Sequence, residues 1–89
     1  MTPRRLVRES GPVEAEQLTR HNLAAIFRWL DGHGVQLEVH RGHGVLLHLP
    51  GGPVSVNYGD HITRSLATGR IEVWDDAELR AEHREEETA

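Results

Sequence analysis

The chain has 89 residues, enough for one small core, and contains neither cysteine nor lysine. Disulfides, thiolate chemistry, Schiff-base catalysis and a lysine-bearing phosphate loop are therefore excluded. Fourteen acidic residues against ten arginines give a net charge of −4, which argues against a nucleic-acid binder. No apolar run reaches the length of a membrane-spanning helix, and the arginine-bearing start lacks the apolar segment of a secretory leader.

In chain order, Arg4, Arg5 and Arg8 make residues 1–12 a basic arm, expected to be flexible. Val13 to Leu18 reads as a first strand after the Ser10-Gly11-Pro12 breaker. Thr19 is placed to cap a helix from Arg20 to Asp31. Its apolar stripe is Leu23, Ile26, Phe27 and Leu30, at helical spacing, and Gly32 and Gly34 end it. Two strands with a period of two follow, Val35 to His40 and Val45 to Leu49, joined by Arg41-Gly42-His43-Gly44. Matching their apolar faces pairs Val39 with Val45, Leu37 with Leu47 and Val35 with Leu49. Pro50-Gly51-Gly52-Pro53 is expected to break the sheet before a short strand at Val54 to Asn57. Tyr58-Gly59-Asp60 turns into a strand at His61 to Ser65. A Thr68-Gly69 hairpin leads to the strand Arg70 to Trp74. Asp75 and Glu78 have capping-box spacing and open a helix to Arg84.

These elements predict an α+β fold. It is a small, mostly antiparallel sheet or partly open barrel of about five to six strands. One helix from the N-terminal half packs on it, and a short C-terminal helix follows. The expected organisation is a single domain over residues 13–84, with a frayed acidic tail at 85–89.

Several short motifs occur in a fixed order. Val13-Glu14-Ala15-Glu16-Gln17-Leu18 comes first, then Asn22 with Ile26, Trp29, Leu30 and Gly32. Gly59-Asp60-His61-Ile62-Thr63-Arg64 follows, then Gly69 to Trp74 and the helix start at Asp75 to Arg80. In this order the chain resembles a family of small uncharacterised proteins of bacteriophage and prophage genomes, over Val13 to about His83. The sequence departs from that pattern at His61, Tyr58, Leu79 and His83. The resemblance implies a phage setting and a small fold; it implies no catalytic residues.

Seven histidines raise the question of a metal site. The hairpin register puts His48 opposite Gln36 and about 14 Å from His40, too far to share an ion, so no metal or other cofactor is expected. Asp60 and His61 are sequence neighbours that a strand turns to opposite faces, which favours a turn-capping role for Asp60 over acid–base chemistry. The serines lack a nucleophile-elbow context. Trp29 sits about 60° from Ile26 around the helix, and Leu46 alternates onto the polar face of its strand. With His40 and His48 they form the expected interaction surface.

The sequence thus favours a non-enzymatic phage accessory protein in the cytoplasm of an infected host. It would bind a host or phage protein and form a homo-oligomer. The alternative is a protein that sequesters a small anionic ligand or nucleotide through Arg41, Arg64, Arg70 and glycine-rich turns. An oligomer interface would then supply the concavity. A DNA-binding regulator using the arginine arm is the weakest alternative.

Overall fold

The computed structural model describes residues 4–8, 11–40 and 42–85. Its strands are β1 (Arg4–Arg8), β2 (Gly11–Gln17), β3 (Gln36–His40), β4 (Gly44–Leu49), β5 (Gly52–Asn57), β6 (His61–Ser65), β7 (Ile71–Trp74) and β8 (His83–Glu85). Helix α1 (Leu23–Asp31) lies between β2 and β3, and α2 (Asp76–Glu82) between β7 and β8. The α+β class and the antiparallel pairing agree with the sequence reading. The barrel and the single sheet do not. Two open sheets form, one of five strands in the order β7-β6-β2-β1-β8 and one of three in the order β3-β4-β5.

The expected basic arm contributes a strand to the larger sheet, and so does the end of the expected C-terminal helix, which stops at Glu82 and gives way to a strand at His83–Glu85. Arg4 to Arg8 pairs with β2, placing Leu6 opposite Val13, and β8 pairs with β1, placing Arg8 opposite His83. Residues 4–8 and Glu85 are therefore part of the domain. Residues 1–3 of the arm and 86–89 of the tail lie outside the described residues. One contact locks β1 to the far edge: Arg8 Nη1 donates to Glu72 Oε1 at 2.8 Å, and its guanidinium lies 4.5 Å from the centroid of the Trp74 ring. The charge of the arm is thus partly spent on packing.

The β3–β4 hairpin has the expected register, with Leu37 opposite Leu47 and Val39 opposite Val45. The ladder ends at Gln36–His48, so the expected Val35–Leu49 pair lies just beyond it. The Pro50-Gly51 segment does not break the sheet. It is a hairpin turn that folds Gly52 and Pro53 back against Leu49 and His48. Pro53 is tolerated because β5 is an edge strand.

Helix α1 begins at Leu23, three residues later than expected, with Asn22 at its N-cap. Asn22 ties down the entry loop instead of capping a helix turn. Its Oδ1 accepts from the Thr19 N–H at 2.8 Å, and its Nδ2 donates to the Gln17 carbonyl at 2.7 Å. Thr19 is spent locally, accepting from the His21 N–H. Phe27, expected in the core stripe, is 48% exposed, whereas Trp29 packs against the core. Two residues apart on a helix are about 160° apart around its axis. Only one of these flanks can turn inward, and the larger indole does.

The five-stranded sheet has apolar residues on both faces. On one side Ile62, with Val73 and Ile71 against it, joins Leu18, Ile26, Leu30, Val45, Leu47 and Val56 in the main core with α1 and the three-stranded sheet. On the other, Leu6, Val13 and Ala15 bury Leu79 of α2, with Trp74 alongside. Ala77 and Ala81 are exposed, so Leu79 is the one buried residue of that helix. Its start is as the sequence indicates: the Asp75 carboxylate accepts from the Glu78 N–H at 2.8 Å.

Candidate functional site

An open cleft of about 910 Å³ lies where ends of the two sheets meet, within the range of small-molecule sites. Three turns frame it: the α1–β3 turn at His33 and Gly34, the β4–β5 turn at Pro50 and Gly51, and the β6–β7 turn at Thr68 and Gly69. Side chains of Val35, Leu49, Val54 and Ile71 give it an apolar lining. His33 and Arg70 add nitrogen donors, and no acidic residue is among the lining residues. His48 reaches the rim, but strand alternation turns its ring to the outer face of the three-stranded sheet. The β4–β5 and β6–β7 turns belong to different sheets, so it is the packing of the two sheets with α1 that brings the three turns around one cleft.

Arg70 is the best-placed cation. Its side chain is largely exposed, and its nearest carboxylate, Glu72, is 4.0 Å away and already engaged by Arg8. The turn amides are less available than the glycine content indicates. The Gly34 N–H donates to the Asp31 carbonyl, the Gly69 N–H to the Ser65 carbonyl, and the Arg70 N–H to Thr68 Oγ1. These three amides are thus already engaged within their turns.

The expected anion-binding set is not assembled as a set. Arg70 is in the cleft. Arg64 is instead paired with Glu14, Nη1 to Oε1 at 3.1 Å, with both side chains mostly shielded. Arg41 lies outside the described residues. His33 and the apolar lining escaped the sequence reading. The stop glycines after α1 marked the turn, but nothing local indicates that it meets the β6–β7 turn. The concavity belongs to a single chain, without the oligomer interface that the sequence reading invoked.

The expected interaction set is partly assembled. His40, Leu46 and His48 occupy alternate positions of the hairpin and share the outer face of the three-stranded sheet. Leu46 is half-buried between its cross-strand partners Glu38 and Ser55. His40 Nε2 lies 3.3 Å from Glu38 Oε2. Trp29 is not part of this surface. It packs on the main core beneath the opposite face of that sheet, and its indole N–H is buried without an acceptor.

Asp60 and His61 act apart. Asp60 Oδ2 accepts from the Asn57 N–H at 2.9 Å, closing its turn. His61 is buried on the α2 side of its sheet, its Nε2 2.9 Å from Asp76 Oδ1. The hydrogen bond from His61, then that from Arg80, holds the Asp76 carboxyl below its ordinary value. Among the described residues, no three histidine or carboxylate side chains gather closely enough to hold a metal ion. Nor is any described helix long and apolar enough to cross a membrane.

No family model, curated protein or solved structure matches the chain.

Proposed function

We propose that this protein is a non-enzymatic binding protein whose cleft takes a small anionic ligand with an apolar or ring portion, a nucleotide being the type case. The observation that carries this reading is the cleft itself, with Arg70 and His33 beside an apolar lining and no lining carboxylate. An arginine fork suits a phosphate or carboxylate group, and the Val35, Leu49, Val54 and Ile71 side chains suit a ring. Absence of a lining acid favours anions through the summed local field. Sequestration or ligand sensing in a phage-infected bacterial cell fits such a site.

The test is calorimetric titration with adenosine monophosphate, adenosine triphosphate and inorganic phosphate, repeated with Arg70→Ala. Binding of a nucleotide that weakens about tenfold in the variant, and weakens with salt, supports the reading. Failure of all three probes to bind at millimolar concentration, or equal binding by the variant, overturns it.

A second reading, in which the outer sheet face contacts a host or phage protein, rests on Leu46 flanked by His48 and His40 on an uncovered sheet face. Leu46→Lys would abolish capture of such a partner and leave nucleotide titrations unchanged.

A further inference from the structure

Strand β3 is an edge of the three-stranded sheet and differs from the other sheet edges. Edge β5 carries Gly52 and Pro53, β7 has four residues and β8 three. Proline and short length blunt an edge against further pairing. Strand β3, Gln-Leu-Glu-Val-His, has five residues and neither proline nor glycine. Its core-side position Val39 is 56% exposed, although its cross-strand partner Val45 is 1% exposed. Val39 and Phe27 are the large apolar side chains left exposed among the described residues, one on β3 and one on the helix packed against it.

We infer that a second copy of this chain covers this edge, β3 pairing antiparallel with its counterpart about a two-fold axis through Val39. Backbone direction allows that register. The His40 carbonyl accepts from the His43 N–H in the β3–β4 turn, so it points toward β4. Alternation then turns the N–H and C=O of Val39 to the free edge. The register places Val39 opposite Val39, which buries the uncovered apolar position. It also places Glu38 of each copy opposite His40 of the other. These side chains already attract each other within one strand, at 3.3 Å, and the dimer offers each a cross-strand partner on the same face. Centring the axis on Glu38 instead would oppose two carboxylates, which is destabilising. Two-fold pairing of one surface with itself closes the assembly at a dimer. The β3 edge is distinct from the cleft, so the dimer and the ligand site stand or fall separately.

The experiment is analytical ultracentrifugation of the full chain, with circular dichroism confirming that each variant folds. Wild type is expected to form a dimer. Val39→Lys places a charge on the edge at an already exposed position, and is expected to raise the dimer Kd at least about tenfold. Glu38→Lys and His40→Glu are each expected to weaken the dimer, and the double exchange E38K/H40E to restore it. A monomeric wild type, a Val39→Lys dimer as tight as wild type, or a double variant no tighter than the single ones overturns the inference. Should Val39→Lys fail to fold, the charge exchange alone decides, because it tests the register and leaves the apolar positions untouched.

Discussion

His61 Nε2 and Asp76 Oδ1 are 2.9 Å apart, joining a 97% buried strand residue to the first residue of α2. With Leu79, this contact fixes how α2 lies on the five-stranded sheet. The Asp76 carboxyl is held below its ordinary 3.8 by that hydrogen bond first and by Arg80 second. A depressed carboxylate contributes stability that is present above its unfolded-state value and lost as pH falls through the folded-state value. Asp76→Ala is therefore expected to lower the melting temperature at pH 7, with the deficit shrinking below pH 3.8. Thermal unfolding across pH checks it; a deficit that persists unchanged in acid would place the contribution of Asp76 elsewhere.

Glu16 behaves in the opposite sense. Burial raises its carboxyl above the ordinary 4.5, and the nearby charge of Arg4 only partly offsets this. A raised value means that the folded protein resists ionisation, so stability falls as pH rises from 4.5 through the folded-state value. Glu16→Gln is expected to raise the melting temperature at neutral pH, and the gain should vanish below pH 4.5. Melting curves of both proteins at pH 3.5 and pH 7 distinguish this from a pH-independent effect of the amide.

Gly44 has φ of 140°, and a Cβ there would run into the backbone carbonyl of Val56 on the neighbouring strand. Rigid backbone cannot give way as a flexible side chain can. Gly44→Ala is expected to cost about 3 kcal/mol or more through combined strain and overpacking. Chemical denaturation measures the loss. A variant within about 1 kcal/mol of wild type would mean that β4 and β5 separate at little cost.

Trp29 offers a test of core against interface. Its indole N–H is buried without a partner, so Trp29→Phe sheds an unsatisfied donor while keeping most of the apolar area. That variant is expected to stay within about 1 kcal/mol of wild type, whereas Trp29→Ala loses about 2–3 kcal/mol. Both should leave dimerisation unchanged once folded. Selective loss of assembly in a stable Trp29→Phe protein would return this residue to an interface.

Local signals were legible where a partner lay close in sequence. The Asp75–Glu78 cap needs residues three apart, and the β3–β4 register follows from alternating valines and leucines across a short turn. Strands β1 and β8 gave no such signal. In Arg-Arg-Leu-Val-Arg only Leu6 is buried, and three residues of β8 have too short a period to read. Strand β1 forms against β2, the next strand in sequence, and β8 forms only because it then meets β1, Arg8 against His83, across most of the chain. Candidate site residues divided in the same way. His40, Leu46 and His48 share a face by simple alternation. By contrast, Arg64 was lost to Glu14, fifty residues away, and Arg70 joined His33 through contacts between turns far apart in sequence.

By itself the sequence determined the α+β class, both helices, the central hairpin with its register, and the exclusion of thiol and lysine chemistry. These follow from composition and from periodicities of two and 3.6 residues, which act over a few neighbours. Tertiary structure alone decided that there are two sheets, that the charged ends extend the larger one, that Trp29 rather than Phe27 turns inward, and that three turns meet around a cleft. Each of those outcomes depends on which buried surfaces meet across long stretches of chain, a choice set by the packing of the whole core.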